Sequence, residues 1–166
     1  AMGALVRERE SNGLYDSVED FARRLDSNVI NKRQLESLVL CGALDDINDN
    51  RKQLYDNIGK ILSFANSAQQ ERESEQITLF GEEDRIFNTI DLIETNDWNE
   101  SERLRQEFEV IGFYLSAHPL DNYTTVLRNL NILNYEEIVR NKIHGLVKLA
   151  GLVISIKERV SAKGNK

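Results

Sequence analysis

The chain has little of what marks secreted, metal-binding or membrane proteins. Its 166 residues include one cysteine, one proline and two histidines, which excludes an internal disulfide and a cysteine-rich zinc site. No apolar run reaches the roughly 18 residues of a membrane span, and no basic stretch followed by an apolar block opens the sequence. We therefore expect a cytoplasmic protein with neither a membrane span nor a signal peptide.

The sequence contains no pattern that predicts a catalytic centre or a bound cofactor. The acidic run at 45–50 is similar to a calcium-binding loop, but Arg51 and Asn57 stand where that loop needs glycine and glutamate. His118 and His144 lie in different segments without metal-ligand spacing or a nucleophile motif. The nine glycines are scattered and form no phosphate loop.

Charge is distributed unevenly along the chain. The formal net charge of −7 argues against a nucleic-acid partner. However, residues 140–166 contain seven basic residues and one acidic residue, whereas residues 71–109 contain four basic and thirteen acidic residues. The sequence thus predicts a basic C-terminal arm and an acidic middle segment, an asymmetry that concerns partners rather than fold.

Capping signals and apolar spacing predict a mainly α-helical chain. Asn12 and Gly13 end a first helix, and Ser17 with Asp20 has the spacing of a capping box. Further helices are predicted from Asn31 to Gly42, from Asn50 to about Gln70, from Asn99 to a point before His118-Pro119, and over 121–130 and 135–142.

Two of these helices have one apolar face each. The stripe of the helix from Asn50 is formed by Leu54, Ile58, Ile61, Leu62 and Ala65. The face of the helix from Asn99 is formed by Leu104, Phe108, Ile111 and Leu115.

The segments between and after the helices differ in character. Residues 71–97 are acidic and weakly periodic, so we predict a linker, with one short helix around 86–93. From residue 146 the pattern alternates and is rich in β-branched residues, which predicts a strand followed by a turn. Because a lone strand is not stable, we expect the chain to end inside a β domain. The opening AMGALVRERE is already helical in pattern and has no Met at position 1, so we also expect the chain to begin inside a larger protein.

The hairpin CGALDDINDN offers a candidate contact for a phosphate. A tight turn containing Gly42 joins two helices, and Arg51 and Lys52 lie in the first turn of the second helix. Backbone N–H groups and these cations together suit a phosphate oxygen. Lys32 and Arg33 extend the same candidate patch. The alternative is that the hairpin only packs two helices and the basic pairs are solvated.

A second candidate site lies in the acidic linker, in EQITLFGEED. Ile77, Leu79 and Phe80 have no periodic apolar partners, and Gln76 supplies an amide donor and acceptor. This arrangement suits a docking peptide whose side chains become buried only on binding. The alternative is that 77–80 folds back on the helical body.

Taken in order, several segments of the chain resemble the alpha subunits of bacterial DNA polymerase III. They are NKRQLESLVLCGALD, NRKQL, QITLFG, IGFYLSAHPLDNY and LAGLVISIKERVSAKGNK. In that family this region follows the polymerase active site. The resemblance implies a helix-hairpin-helix DNA-binding part over 1–70, an acidic linker with a sliding-clamp box over 71–97, a helical part over 98–145 and a truncated strand of an oligonucleotide-binding (OB) fold over 146–166.

The resemblance also assigns residues and partners. Gly42 to Asp45 match the family's Gly-Ala-Phe-Asp hairpin with Leu44 in place of the aromatic residue, and 107–109 reads Glu-Phe-Glu where Glu-Lys-Glu is common. Ala117 stands where glycine usually precedes His-Pro. The clamp-binding residues are Gln76, Ile77, Leu79 and Phe80.

The implied partners are double-stranded DNA, the sliding clamp (beta subunit) and other replicase subunits. The resemblance implies that the first of the family's tandem hairpins would lie upstream and is here lost or reduced to AMGALVRERE, so we expect this chain to bind DNA weakly. The aspartates that hold the catalytic Mg²⁺ ions match nothing in this chain, so we expect no polymerisation by the chain itself. The alternative function is an acidic helical protein-interaction module without a nucleic-acid role.

Overall fold

A computed structural model describes residues 2–26, 29–73 and 89–158. The chain divides into two compact units, Ala1–Leu115 and Ser116–Lys166. The first unit contains α1 (Met2–Asn12), α2 (Val18–Arg24), α3 (Lys32–Leu40), α4 (Arg51–Asp56), α5 (Ile58–Glu73) and α6 (Glu100–Ile111). The second contains a 3-10 turn (Asp121–Tyr123), α7 (Thr124–Asn129) and α8 (Tyr135–Arg140). The regions that the resemblance implies, with boundaries at 70, 97 and 145, stay a prediction.

The helix starts follow the capping side chains. Ser17 accepts a hydrogen bond from the N–H of Asp20, and Asn31 forms a full capping box with Gln34. Asn99 accepts from the N–H three residues later in the same way. Each cap satisfies a backbone donor that the helix itself leaves without a partner. The predicted helices over 2–12, 18–24, 32–40, 100–111, 121–129 and 135–140 are confirmed to within a few residues.

The core of the first unit lies between α2, α3, α4 and α5, which pack on one another. Its largest fully buried apolar side chains are Phe21, Leu25, Leu35, Val39, Leu54, Ile58 and Ile61. The stripe predicted for the long helix is confirmed, with Leu62 half-buried at its margin. Each of these large side chains contributes about 1.5–3 kcal/mol when it leaves water.

Asn57 divides the helix that was predicted to run unbroken from Asn50 to Gln70. Its N–H bonds to the carbonyl of Gln53 in α4, and its own carbonyl accepts from the N–H of Ile61 in α5. Asn57 is therefore the single residue between the two helices. The Asn57 side chain is buried and binds the backbone of Ile93, which accepts from Nδ2 at 3.3 Å and donates to Oδ1 at 3.0 Å. An asparagine side chain that bonds to backbone outside its helix disfavours continuous helix there.

Residues 89–99 run across α4 and α5 as an extended segment, the strap. Ile90 is buried, and its N–H donates to Glu19 of α2. The Thr95 carbonyl accepts from the side chain of Asn50 at 2.6 Å. The part of the predicted linker that the structure describes after residue 88 is therefore packed, and residues 89–93 are not helical. The linker prediction missed this because it was based on composition, whereas the backbone of the strap is held by side chains of other elements, such as Glu19, Asn50 and Asn57. The QITLF box lies outside the described residues.

α1 is attached to the rest of its unit by the partly buried Leu5, which packs against the core, and by polar contacts. The Glu8 carboxylate accepts from Arg24 Nε at 2.7 Å, and the hydroxyl of Tyr15 donates to the carbonyl of Leu5 at 3.3 Å. Gly13 follows α1 with φ +86°, which ends the helix. α1 buries no side chain completely, so these contacts matter for its position.

The second unit includes the segment predicted as a strand, of which the structure describes residues 146–158. Within 146–158, the part of that segment that the structure describes, no strand is formed. The Lys148 carbonyl accepts instead from the N–H of Leu133 in the α7–α8 loop at 3.1 Å. Alternating apolar residues form a strand only beside a second strand that supplies the ladder hydrogen bonds. Over the described residues, no helix is long and apolar enough to cross a membrane.

Candidate nucleic-acid interface

The hairpin occupies residues 41–50, between α3 and α4. Gly42 adopts φ +77°, and the N–H groups of Gly42 and Ala43 donate to the carbonyls of Val39 and Leu38 at the end of α3. The chain then reverses, and Leu44 is buried in the core. The position that is aromatic in the resembled family is thus an anchor that holds the hairpin to the helices.

Arg51, for which the sequence predicts a phosphate contact, lies inside the protein. It is 3% exposed. Its Nε and Nη2 donate to Asp45 at 2.9 and 2.7 Å, and its Nη1 donates to the Leu40 carbonyl at 3.3 Å. The hydrogen bond to Asp45 is the main cause that raises the pKa of Arg51 above its ordinary value, against desolvation, which lowers it. The guanidinium is therefore held within the chain and differs in this from the surface cation that the sequence predicted.

The guanidinium of Arg51 lies directly against Gly42. A Cβ atom at Gly42 would be 2.0 Å from Arg51 Nη2 and 2.9 Å from Asp45 Oδ2. Gly42 is needed here for its φ angle and for space. In the structure, the group that lies close to Gly42 is the guanidinium of Arg51.

Glu107 of α6 completes the enclosure of Arg51 from the other side. Its side chain is fully buried, and Oε2 accepts from Arg51 Nη1 at 3.3 Å. Oε1 accepts from the N–H of Leu115, after the helix. The inward face of α6 therefore includes Leu104 and Glu107, whereas Leu115, predicted on the apolar face, is exposed. The spacing of three residues from Leu104 to Glu107 was the signal available in the sequence.

A chain of ion pairs continues from Arg51 to the strap. Asp45 Oδ2 also accepts from Arg103 at 3.2 Å, and Arg103 pairs with Asp97 at 3.2 Å. The other oxygen of Asp97 accepts from the backbone N–H of Lys52 at 3.0 Å. These five side chains, which we call the Arg51 cluster, are Asp45, Arg51, Asp97, Arg103 and Glu107. A carboxylate of the strap thus occupies the first turn of α4, where a phosphate was expected.

The other predicted cations lie in two separate places. Lys52 pairs with Asp56, and its Nζ lies 5.9 Å from the centre of the Trp98 ring. Lys32 and Arg33 are exposed at the start of α3, nine helical residues from the hairpin, which is about 13 Å at 1.5 Å per residue. Lys32 is 71% exposed and 3.8 Å from Glu36. The structure does not bring the predicted DNA-contacting residues into one patch.

Comparison with known proteins agrees with the hairpin geometry. A family profile described as the helix-hairpin-helix motif matches residues 1–54. The DNA polymerase III subunit alpha of Rickettsia prowazekii is 36% identical over 166 residues, which cover 98% of this chain and 14% of the relative. This chain is related to bacterial DNA polymerase III alpha subunits. The resemblance inferred from the sequence is thereby confirmed.

Other relatives show the same extent of similarity. The DNA polymerase III subunit alpha of Borreliella burgdorferi is 34% identical over 164 residues, covering 97% of this chain and 14% of the relative. That of Caulobacter vibrioides is 33% identical over 168 residues, covering 100% and 15%. The chain thus spans about a seventh of the length of the alpha subunits it matches.

Proposed function

We propose that the chain contacts the sugar-phosphate backbone of duplex DNA and so holds the duplex within a replicative DNA polymerase. The observation that carries this proposal is the hairpin at 41–50, which lies inside the segment matched by the helix-hairpin-helix profile. Its turn is held rigidly by Gly42, Leu44 and the Arg51 cluster. A rigid turn presents backbone groups in a fixed arrangement, which suits contacts that read phosphates and not bases.

The cations for this contact are those that the structure leaves exposed. Because Arg51 is internal, we assign it to the support of the hairpin, and we assign Lys32 and Arg33 to the electrostatic attraction of DNA. Arg128 and Arg140 of the second unit are also exposed and form a separate candidate surface. Contacts of either kind release counterions, so binding should be weak, independent of sequence and steeply dependent on salt.

Fluorescence anisotropy of a labelled DNA duplex, titrated with the 166-residue chain over a range of salt concentrations, tests this proposal. Lys32→Glu with Arg33→Glu should weaken binding to all sequences equally. It should also reduce the salt slope by about 0.9 for each phosphate that the chain no longer neutralises. The matched control is Arg128→Glu with Arg140→Glu, since Lys32 and Arg140 are similarly exposed and each faces a glutamate four residues away.

The two reversals separate the possible outcomes. Binding that disappears only with the control pair would move the contact to the second unit and refute the assignment to α3. No salt-dependent binding by the unmodified chain would refute DNA holding by this segment and favour the acidic protein-interaction module.

We also propose that the QITLF segment tethers the polymerase to the sliding clamp. The support is the match of Gln76, Ile77, Leu79 and Phe80 to the clamp box of the resembled family. Two weak attachments to one DNA-bound assembly act through effective concentration, so a modest peptide affinity gives long residence on DNA.

Calorimetric titration with purified sliding clamp tests the tether. Leu79→Ala with Phe80→Ala removes roughly 3–6 kcal/mol of gross burial on binding and should abolish measurable clamp binding with little change in melting temperature. Val153→Ala with Ile154→Ala, an exposed apolar pair of the second unit, is the matched control. Clamp binding that persists while the melting temperature falls sharply would show that the box is a packed element and would refute the tether.

Template-directed synthesis is assigned to the parent polymerase and not to this segment. We expect no primer extension by the 166-residue chain with Mg²⁺ and nucleotides. Extension that persists through rigorous purification would contradict the assignment.

A further inference from the structure

Glu107 is a buried carboxylate that the proposed DNA contact does not use directly. It lies on α6, 56 residues along the chain from Arg51, and accepts from Arg51 Nη1 at 3.3 Å. Burial of an ion pair gives little net stability compared with apolar side chains of the same volume, because both charges lose their hydration. A geometric role therefore explains this carboxylate better than a contribution to stability alone.

The geometry that Glu107 fixes is that of the hairpin. The guanidinium of Arg51 fills the space above Gly42, where a Cβ would be 2.0 Å away. It also bonds to Asp45 within the turn and to the Leu40 carbonyl at its start. Arg51 thus contacts the hairpin at Gly42 and Asp45 and the end of α3 at Leu40.

Glu107 in turn fixes Arg51. Asp45 binds the Nε and Nη2 edge of the guanidinium, and Glu107 binds Nη1 from the opposite element. Without the negative charge at 107, Nη1 keeps the neutral Leu40 carbonyl but no longer has its charged partner. Asp45 still pairs with the Nε and Nη2 edge, but the guanidinium is no longer held from the α6 side and can shift from its place above Gly42.

We propose that Glu107 is a positioning residue for DNA binding, which holds the hairpin in its binding conformation by fixing Arg51 against Gly42. The proposal rests on the DNA-holding function above. It makes the hairpin dependent on α6, and through the N–H of Leu115 on the turn that ends α6.

The test uses Glu107→Gln in the 166-residue chain, because glutamine keeps the shape and an acceptor for Leu115 but removes the charge. Glu102→Gln is the matched control: it makes the same change on the same helix, where the carboxylate pairs with Arg105 and not with the hairpin. If Glu107→Gln does not fold, Asp45→Asn removes charge from the other edge of the same guanidinium.

Two measurements are made on each variant. The first is amide hydrogen exchange at the hairpin N–H groups that have backbone acceptors, those of Gly42, Ala43, Asp45, Ile47 and Asn48. The second is duplex DNA affinity as a function of salt. Removal of a charged hydrogen bond predicts hairpin exchange faster by roughly tenfold or more, with α2 amides unchanged. It also predicts weaker DNA binding at an unchanged salt slope, since no exposed cation is removed.

The outcomes distinguish this inference from the proposed function. Hairpin exchange and DNA affinity equal to those of Glu102→Gln, or exchange that rises equally in α2 and the hairpin, would refute the positioning role and leave the DNA-holding function intact. If the unmodified chain does not bind DNA, the DNA-holding function fails, and with it the role of Glu107 in binding. The exchange data would then still decide whether Glu107 fixes the hairpin.

Discussion

Replacing Gly42 with alanine should destabilise the first unit far more than the same change at another glycine with positive φ. Gly42 has φ +77° and Gly112, after α6, has φ +88°. A Cβ at Gly112 meets nothing within 4 Å, whereas one at Gly42 overlaps the guanidinium of Arg51. The two substitutions therefore share a conformational cost, and only Gly42→Ala adds a clash.

The size of the difference follows from what must move. An alanine at positive φ costs about 1–2 kcal/mol at either site. At Gly42 the contact at 2.0 Å also displaces Arg51 from Asp45 and Glu107, and breaking a buried ion pair costs about 3–5 kcal/mol. Gly42→Ala should thus cost roughly 4–7 kcal/mol, a large part of the about 5–15 kcal/mol that stabilises a typical domain.

Urea unfolding followed by tryptophan fluorescence measures this difference. Trp98 is the only tryptophan of the chain, and its ring lies 5.7 Å from that of Tyr55, so its emission reports on the first unit. An excess of 3–5 kcal/mol corresponds to a midpoint lower by roughly 1.5–3 M than in Gly112→Ala, for a slope of about 1.5–2 kcal/mol/M. If the urea midpoints of the two variants lie within about 0.5 M of each other at equal slope, the Arg51 cluster does not require the space at Gly42.

Two further changes test other contacts of the first unit. Asn57→Ala removes the two hydrogen bonds between the Asn57 side chain and the backbone N–H and carbonyl of Ile93. It should therefore lower the free energy of unfolding by about 2–4 kcal/mol and make the strap more accessible to protease. The hydrogen bond from Arg24 lowers the pKa of Glu8, so its stabilisation is present above the ordinary glutamate pKa of about 4.3 and is lost as pH falls through the lowered value. Thermal melts of the unmodified chain and Glu8→Gln should therefore differ most at pH 6 and differ less as the pH falls through the lowered pKa of Glu8; a difference that stays the same at all acidic pH values would refute this linkage.

The helix starts could be predicted from sequence because their determinants are local. Ser17, Asn31, Asn50 and Asn99 each accept from an N–H three residues later, so the pattern is complete within four residues. The break at Asn57 could not be predicted in this way. Its partner Ile93 is 36 residues away. From the local sequence alone, an asparagine between Leu54 and Ile58 fits a helix interior as well as a helix junction.

The candidate site shows the same limit. The sequence places Arg51 beside a glycine-containing turn, which is compatible with a phosphate contact and with an internal ion pair. One local signal favoured the second: Arg51 is the first residue of α4, where the helix dipole disfavours a cation unless an acid compensates it. Asp45 is near enough in sequence to be suspected of that role. Glu107 could not be suspected of this role, because only the packing of α6 on α3 brings it close to Arg51.

The position of exposed charges matters more for a DNA contact than the net charge of the chain. The Arg51 cluster contains three carboxylates and two guanidiniums, each paired within about 3.3 Å of an opposite charge. The cluster therefore contributes only −1 to the formal net charge, and charges elsewhere on the surface are largely screened from a phosphate beyond the Debye length of about 8 Å. A formal charge of −7 therefore does not exclude a weak DNA contact. The contact depends on where exposed cations such as Lys32 and Arg33 lie, which is why reversing that pair is a sharper test than any change in total charge.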